Sequence, residues 1–407
     1  MKPNVLHIID SFDQGGTERQ AVQIVRLLHE SNRYNVHLAC IHDRGMLRAE
    51  VDEIGIGEIA AYPLNSFFNR NFARQLRRLR SFLREREIDI VHTHGLYTNV
   101  FGIIGAAIAR VPVRIASRRE TGGLRGGVQR WGERRAFGLS NMIIANAEAV
   151  RRDLIAEGVP SEKIVTVYNG LDVERVAPQS VLPREEALAL LGLPQDEARR
   201  FVTIVANVRH PVKDHPMFLR AARRVKDEIP QAAFVIAGEG ELMPTLRALA
   251  AELCIERDVF FTGRCERVAE LLAISEVCVL SSKAEGFSNA ILEYMVAGRA
   301  VVATDVGGAR EAIVEGETGY LVPSGDDAAM AERIIALLND PERTREMGER
   351  GRLAVKEKFS CEAQLERTAK LYDELLAKSA PRLLRGIEPV EGHIYCEPQR
   401  QESNRQD

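Results

Sequence analysis

The sequence predicts an α/β protein built from two Rossmann-like domains. Its 407 residues exceed what one ordinary hydrophobic core supports, which favours two domains. Short apolar runs alternate with helical patterns in two successive series, as is typical of parallel sheets covered by helices on both faces. The first series opens with the strand Val5–Ile9, a loop that contains Gly15 and Gly16, and a helix from Thr17.

The first series predicts a domain over residues 1–172. Its predicted strands are Val5–Ile9, Val36–Ile41, Ile88–His92, Val113–Ala116, Met142–Ala145 and Ile164–Val167. The glycine loop after the first strand lacks the full G-x-G-x-x-G pattern of dinucleotide-binding proteins. A dehydrogenase therefore loses its main support.

The second series predicts a domain over residues 201–358, after a polar linker at 173–200 that contains a short helix, Glu185–Leu191. Its predicted strands are Phe201–Ala206, Ala233–Ala237, Val259–Thr262, Val277–Leu280 and Ala300–Thr304. The helices Ala328–Leu338 and Glu342–Lys358 are predicted to close this domain.

The end of the chain divides into a helix and a polar stretch. Residues 359–380 contain an amphipathic helical pattern at Ala363–Ala377. Residues 381–407 carry isolated prolines and no periodicity, which predicts a disordered tail.

Composition is that of a soluble globular protein, with 45% hydrophobic and 28% charged residues. Six scattered cysteines form no Cys-x-x-Cys pair, which argues against zinc and disulfides and suits a reducing cytoplasm. No signal peptide is visible, and the longest apolar run, Val100–Ala109, is about half of a bilayer span. We expect a cytoplasmic protein that is not an integral membrane protein.

Charge is unevenly divided along the chain. Residues 1–172 hold 24 Lys and Arg against 19 Asp and Glu, whereas the remainder holds 31 against 39. Seven arginines fall in Arg70–Arg86, which also has apolar residues at helical spacing, and seven more fall in Arg114–Arg135. These segments could rest on an anionic inner leaflet and receive a lipid-linked acceptor. The alternative is a solvated helix face. A nucleic-acid partner is not expected, because no aromatics interleave with the arginines.

The stretch Ser281–Gly298 combines a glycine turn with a helix start. It follows the apolar strand Val277–Leu280, turns through Gly286, and continues with apolar residues at helical spacing. Ser288 is predicted to cap the helix. A strand that leads through a glycine into a helix presents unpaired backbone N–H groups and a partial positive charge, which suits a phosphate.

Two glutamates in this stretch carry a resemblance to a known family. The run from Glu285 to Glu293 resembles the Glu-x7-Glu signature of the family-4 glycosyltransferases. Other segments follow that family's pattern in the same order: Asn169–Asp172, Ala237–Gly240, Ala303–Gly308 and Thr318–Pro323. Several motifs in the right order make a chance match improbable.

This resemblance implies a GT-B fold, in which two Rossmann-like domains face each other across a cleft and the final helix crosses back to the first domain. It also implies transfer of a sugar from a nucleotide-sugar donor with retention at the anomeric carbon. The first domain would then be the acceptor side, and the second would bind the donor.

The family pattern points to two cations for the departing diphosphate. Arg209 and Lys213 lie in the loop after the strand Phe201–Ala206, and Lys213 fits the pattern better because the arginine is displaced. Cations and oriented N–H groups must neutralise the leaving group where no metal does. The chain has no Asp-x-Asp pair at a strand end, so we expect no metal and no other cofactor.

The resemblance gives the two glutamates different roles. Glu293 would accept hydrogen bonds from the ribose hydroxyls, and Glu285 would face the transferred sugar. Backbone groups at the helix start would meet the diphosphate: Gly286, Phe287, Ser288 and Asn289. The remaining donor-side candidates are Gly15, Gly16, Glu239 and Arg264.

The acceptor-side candidates are His94, Arg118, Arg119 and Glu120. Many family members carry a histidine at about the position of Arg118, beside the donor sugar. Arg118 stays protonated and cannot act as a base, but it could bind phosphate charge or an anionic acceptor.

These patterns together favour a retaining glycosyltransferase, a hexosyltransferase by resemblance, that acts on a saccharide or lipid-linked acceptor in bacterial surface polysaccharide or glycolipid synthesis. Two alternatives remain open: a sugar-nucleotide epimerase of the same architecture, and a non-catalytic nucleotide-sugar-binding module. Glu285, Glu293 and Lys213 together argue against the second alternative.

Overall fold

The predicted fold class is confirmed by a computed structural model that describes residues 2–67, 69–121, 126–173 and 182–379. The strands of these residues form two sheets, one in each domain, and all paired strands run parallel. Apolar strands that are buried on both faces require helices on either side, as the sequence pattern indicates.

The first sheet has the order β3-β2-β1-β4-β5-β6-β7. Its strands are β1 Asn4–Ile9, β2 Asn35–Cys40, β3 Ala60–Ala61, β4 Ile90–His94, β5 Val113–Arg118, β6 Met142–Ala145 and β7 Ile164–Thr166. Its helices are α1 Gly16–Glu30, α2 Arg48–Ile54, α3 Arg70–Glu85, α4 Leu96–Ala109, α5 Gly127–Leu139 and α6 Glu148–Ala156.

The second sheet has the order β10-β9-β8-β11-β12-β13. Its strands are β8 Arg200–Val205, β9 Ala232–Ala237, β10 Val259–Gly263, β11 Ser275–Leu280, β12 Ala300–Thr304 and β13 Gly319–Val322. The helices of this half are α7 Arg184–Leu190, α8 His215–Glu228, α9 Met243–Glu252, α10 Val268–Ile274, α11 Asn289–Val296, α12 Ala309–Ala312, α13 Asp327–Asn339 and α14 Pro341–Lys358.

The last described helix, α15 Cys361–Ser379, crosses from the second domain back to the first. The chain passes between the domains at two adjacent points, where the N–H of Leu171 donates to the carbonyl of Phe359 at 2.8 Å. Apolar residues of α15, among them Ala369 and Leu375, pack into the core of the first domain. Tyr34 fixes the helix further by donating to Asp373 at 2.9 Å.

Three elements differ from the sequence prediction. The strands β3 and β13 are not predicted, since β3 has two residues and β13 follows a turn with few apolar residues. Strand β4 ends at His94 and not at His92 as predicted. Both histidines are buried within the sheet, so the loop begins only after His94. The predicted tail, 381–407, lies outside the described residues.

The two domains meet through an aromatic contact. The rings of Tyr168 and Phe287 lie 5.2 Å apart, and Phe359 lies 5.3 Å from Tyr168 and 5.2 Å from Phe287 between ring centroids. Glu311 of the second domain accepts hydrogen bonds at the N-terminus of α6, from the N–H of Glu148 at 2.7 Å. A carboxylate is favoured at that position by the helix dipole, so this contact holds the domains together.

In the described part of the chain, no helix combines the length and the hydropathy that a membrane span requires.

Candidate active site

A cleft lies between the domains, at the carboxyl ends of the central strands of both sheets. Ligands bind at this edge in open parallel α/β sheets. The cleft comprises two cavities of about 640 Å³ and 310 Å³, and Asn289 at the start of α11 lines both. The larger cavity lies between α1 and α11, and the smaller one contains Lys213 and Glu285.

The start of α11 leaves its backbone donors open. Ser288 occupies the N-cap position as predicted, but its hydroxyl makes no capping hydrogen bond. The N–H groups of the first helical turn therefore have no capping partner from this side chain, and the residues at the helix start, Phe287, Ser288 and Asn289, line the smaller cavity. This arrangement suits an anion better than a capped helix would.

Gly286 is required by a close approach of the two domains. A Cβ at this position would lie 2.0 Å from the backbone oxygen of Arg119 in the first domain. The loop after β11 thus touches the loop after β5, and any side chain at Gly286 would force the cleft open.

Lys213 and Glu285 form an ion pair in the smaller cavity. The Lys213 Nζ lies 2.7 Å from Glu285 Oε1, and both side chains are largely buried, with 22% and 13% exposed. Ser282 donates a hydrogen bond to the same carboxylate oxygen at 2.6 Å. Ser281 donates to the carbonyl of Lys213 at 2.8 Å, so the loops after β8 and β11 are held to each other. The structure brings together a cation and a carboxylate that lie 72 positions apart in the sequence.

Glu293 lies one turn after Asn289 on the same side of α11. Both residues line the larger cavity, while the intervening Ile291 and Leu292 are buried in the core. Glu293 is half-buried. A half-buried carboxylate fixed on a helix can hold two neighbouring hydroxyl groups in a defined geometry.

Arg209 lies apart from Lys213. Its guanidinium pairs with Glu239 at 3.1 Å, and both side chains are more than half exposed. Gly238 and Gly240 beside Glu239 pack against the loop after β8, where a Cβ at Gly238 would lie 1.9 Å from the oxygen of Ala206. Arg209 and Glu239 therefore sit at the rim of the cleft, outside both cavities.

The glycine loop and Arg264 border the cleft from opposite domains. Gly16, at the first position of α1, lines the smaller cavity, and a Cβ there would meet nothing within 4 Å. A Cβ at Gly15 would lie 2.0 Å from a carboxylate oxygen of Glu18, the end of a flexible side chain that can move aside. Arg264 reaches across the cleft to the first domain, with Nη1 2.8 Å from the sulfur of Met46.

The structure corrects the acceptor-side prediction for Arg118. This side chain is fully buried, and its guanidinium binds Glu157 through two hydrogen bonds of 2.6 and 2.8 Å. A second carboxylate, Glu133, lies 3.7 Å away. Arg118 is directed away from the cleft because its charge is neutralised inside the first domain. It is not available to phosphate or acceptor.

Arg119, the next residue, does reach the cleft. It lines the smaller cavity together with Glu120 and Asn146, and its Nη1 donates to Asn169 Oδ1 at 2.7 Å. Asn169 in turn donates to Asn289 Oδ1 at 2.8 Å, which links the first domain to the start of α11. The sequence places Asn169 in a family motif but predicts no role for its side chain. Asn146 is not predicted at all, because a single asparagine after a strand carries no pattern.

His94 belongs to a buried network and not to the wall of the cleft. Its Nε2 lies 2.9 Å from Nδ1 of His7, and His92 contacts the hydroxyls of Tyr372 at 2.7 Å and Ser117 at 2.6 Å. The three imidazoles are at most 2% exposed. Tyr372 comes from α15, so the network ties the crossing helix to the first sheet.

Among the described residues, His7, His92 and His94 form a group that could hold one metal ion, because their ligand atoms lie within 4.8 Å of one another. The fit is poor. His7 and His94 share a hydrogen bond, and both nitrogens of His92 are engaged by hydroxyl groups. The positive charge of Arg119 also acts on all three imidazoles. Five of the six ring nitrogens have hydrogen-bond partners, and Nδ1 of His94 lacks one among the described residues. A divalent cation would have to displace those hydrogen bonds and would meet an electrostatic penalty from Arg119.

The histidine network makes stability depend on pH. Burial, with the charge of Arg119, lowers the pKa of His7 from 6.5 to about 3, and burial lowers the pKa values of His92 and His94 well below 6.5. The unfolded chain binds protons at these sites below about pH 6.5 and the folded protein does not. Each histidine should therefore reduce the free energy of unfolding by up to about 1.4 kcal/mol per pH unit as the pH falls.

Urea unfolding between about pH 7.5 and about pH 5.5 checks this expectation. The matched variant is His92→Gln, which removes one titrating group while keeping a polar side chain. As the pH falls, the stability of this variant should fall less steeply than that of the wild type, because about one proton fewer is taken up on unfolding. Parallel curves for the two proteins would contradict the account.

Two family models match the chain, one in each half. The model described as Glycosyltransferase Family 4 matches residues 14–175, and the model described as Glycosyl transferases group 1 matches residues 193–354. Together they cover most of both domains but not α15, whose Cys361 and Glu362 line the larger cavity.

Curated proteins and solved structures agree with these matches. EpsD of Bacillus subtilis, which carries the name of a glycosyltransferase, is 30% identical over 316 residues, or 73% of this chain and 79% of EpsD. The N-acetyl-alpha-D-glucosaminyl L-malate synthase of Bacillus anthracis is 34% identical over 220 residues, or 53% of this chain and 55% of that enzyme. The Anabaena protein HepE has the same fold, with a TM-score of 0.80 at 20% identity over 92% of this chain and all of HepE; it was crystallised with UDP and, separately, with UDP-glucose.

Proposed function

The chain belongs to the family-4 glycosyltransferases, and we propose that it is a retaining, metal-independent enzyme that transfers a sugar from a nucleotide-sugar donor to a saccharide or lipid-linked acceptor. The product would belong to a bacterial surface polysaccharide or glycolipid. The observation that carries this proposal is the ion pair of Lys213 with Glu285 beside the uncapped start of α11.

In the proposed reaction one bond breaks, one bond forms and one proton moves. The bond between the anomeric carbon and the diphosphate oxygen breaks, and the acceptor hydroxyl oxygen bonds to that carbon on the same face. The acceptor's proton passes to the departing phosphate oxygen. Lys213 and the N–H groups at the start of α11 neutralise the charge that develops on the diphosphate. Glu285 holds hydroxyls of the transferred sugar, and Glu293 holds the ribose.

Relatives narrow the substrates that we propose. HepE binds UDP and UDP-glucose, which supports a uridine nucleotide as the first donor to test. The Bacillus anthracis enzyme carries L-malate in its name, which supports an acceptor with negative charge as one class within this function. An epimerase of the same architecture would convert the sugar of the donor without an acceptor.

Thermal unfolding with UDP, GDP, ADP and their glucose conjugates tests the proposal. A ligand that binds only the folded state raises the melting temperature. At a ligand concentration of 100 times Kd it adds about 2.7 kcal/mol to the free energy of unfolding. We expect at least one nucleotide to do so equally with chelator and with Mg²⁺. If none shifts the melting temperature, the donor assignment is wrong.

We propose that the first domain also contacts an anionic membrane. Helix α4 packs between α3 and α5. On α3, Leu79 and Leu83 are buried while Arg77 and Arg80 are exposed, and on α5 Trp131 is 57% exposed. The guanidinium of Arg135, also exposed on α5, lies 5.4 Å from the ring centroid of Trp131. Exposed arginines and an exposed tryptophan are typical of a surface that rests on anionic lipid headgroups.

Flotation with vesicles of anionic and neutral lipid tests this contact. Binding should require anionic lipid, weaken with salt, and fall in the Arg77→Glu/Arg80→Glu variant. The control is Arg343→Glu/Arg345→Glu, which makes the same charge change at exposed positions of α14. Equal flotation of both variants, or binding insensitive to salt, would refute the membrane contact.

A further inference from the structure

Two adjacent arginines at the end of β5 have opposite surroundings. Arg118 is neutralised by Glu157 and Glu133. Arg119 has no carboxylate within ion-pair distance among the described residues, and its Nε is buried without a hydrogen-bond partner. Removing a charged group from water without pairing it is costly, so an arginine in this state is suited to a ligand that supplies the missing charge.

The electrostatics of Arg119 agree with its geometry. Burial lowers the pKa of its guanidinium to about 10, and the carboxylate of Glu18 opposes this only at longer range. The side chain stays protonated at neutral pH. It therefore presents a positive charge that the protein has not neutralised.

Other polar atoms at the same edge of the sheet lack partners. Asn146 follows β6 and is 2% exposed, and its Oδ1 has no hydrogen-bond partner among the residues that the structure describes. Its Nδ2 donates to the backbone oxygen of Arg119 at 3.3 Å, so the two residues are neighbours. A buried acceptor beside a buried donor is the arrangement expected for a ligand that carries an anionic group and a hydroxyl.

Arg119 belongs to the first domain, whereas the proposed donor machinery belongs to the second domain. The residue stands on the first-domain wall of the smaller cavity, whereas Lys213, Glu285 and the start of α11 form the opposite wall. Its Nη1 is held by Asn169 at 2.7 Å, so the guanidinium is fixed in place. A group bound at Arg119 shares the smaller cavity with Glu285, the glutamate proposed to hold the sugar, so an acceptor bound there can present a hydroxyl to that sugar.

We propose that Arg119 binds a carboxylate or phosphate group of the acceptor, while Asn146 Oδ1 accepts a hydrogen bond from an acceptor hydroxyl. This inference rests on the proposed function and names the chemical class of its acceptor. The enzyme selects acceptors that carry a negative charge near the hydroxyl that is glycosylated. Arg118 has no such role, because its charge is already paired.

The test uses the full-length protein loaded with UDP and three probes: L-malate, glycerol 3-phosphate and inorganic phosphate. Binding to wild type, Arg119→Gln and Arg119→Lys is measured by calorimetry, with neutral glycerol as the ligand control. Arg110→Gln is the matched variant, since Arg110 is an exposed arginine of the same domain outside the cleft.

We expect at least one anionic probe to bind the wild type. The Arg119→Gln substitution should lower the affinity for that probe by about tenfold to 100-fold. UDP affinity should change less than about twofold in the same variant, and Arg119→Lys should recover part of the anion binding because it keeps the charge but loses the planar fork. Arg110→Gln should behave as the wild type.

Three results would overturn the proposal. One is anion binding that Arg119→Gln leaves unchanged. Another is a loss of UDP affinity as large as the loss of anion affinity, which would assign Arg119 to the donor diphosphate. The third is failure of every anionic probe to bind the UDP-loaded wild type at millimolar concentration. Failure of UDP, GDP and ADP alike to bind the wild type would instead refute the proposed function.

Discussion

Replacing Lys213 by methionine should lower the rate of donor turnover by on the order of 100-fold to 1,000-fold. The diphosphate leaves with growing negative charge, and Lys213 is a cation of the second domain that lines the smaller cavity, 2.7 Å from Glu285. Methionine keeps much of the volume and removes the charge. The effect should fall mainly on kcat, because the charge on the departing oxygen is largest in the transition state. Release of the nucleoside diphosphate, followed with a coupled assay, measures it.

Lys283 supplies the matched control. It lies in the loop after β11, it is 57% exposed, and its Nζ is 3.5 Å from Asp214. Lys283→Met removes the same charge a short distance from the cavity, and turnover should stay within about twofold of the wild type. Equal losses in the two variants would mean that the general positive potential of these loops matters and the contact of Lys213 does not.

Replacing Glu293 by glutamine should weaken binding of the nucleoside diphosphate by about tenfold to 100-fold. Glutamine has nearly the same shape, but it cannot accept two charge-assisted hydrogen bonds. Glu293 lies on the cavity side of α11, so the substitution leaves the buried residues of the helix in place. Calorimetric titration of the nucleotide that stabilises the wild type measures the change.

A 2′-deoxynucleotide separates the ribose contact from a general effect on the site. The wild type should bind it more weakly than the ribonucleotide, whereas Glu293→Gln should discriminate little between the two. This is a double-mutant cycle with one change in the protein and one in the ligand. Equal discrimination by both proteins would show that Glu293 does not hold the ribose.

The second-domain side of the cleft could largely be predicted from the sequence because its signals are local. The helix start at Ser281–Gly298 depends on a strand, a glycine and a helical period within 18 residues, and the structure has them in that order. The two domains were predictable for the same reason, since each strand and helix carries its own periodicity. Local patterns also fix which residues share a face, as for Asn289 and Glu293.

The first-domain side of the cleft could not be predicted in the same way. Whether Arg118 or Arg119 faces the cleft depends on which one meets Glu157, and that residue lies 39 positions away. The histidines of β1 and β4 are joined by Tyr372 of α15, a contact across 280 positions between His92 and Tyr372. No period or motif encodes such contacts, because they arise only when the crossing helix packs on the first sheet.

The sequence also could not predict which of the two cations, Arg209 or Lys213, enters the cavity. Arg209 and Lys213 are four residues apart, and the family pattern treats them as a pair. In the structure, Lys213 enters the cavity while Arg209 pairs with Glu239 at the rim. The short 3₁₀ turn Pro211–Lys213 between them redirects the chain, and a tight turn of this kind decides which side chain points inward.

The stereochemistry of donor hydrolysis distinguishes a retaining, metal-independent glycosyltransferase from an inverting or metal-dependent one. The nucleotide sugar that most stabilises the protein is incubated with it in the presence of a chelator, and proton NMR records which anomer of the free sugar appears first. The account predicts slow hydrolysis that needs no added metal and first releases the anomer present in the donor. Release of the opposite anomer first, or no turnover until a divalent metal is added, would contradict it.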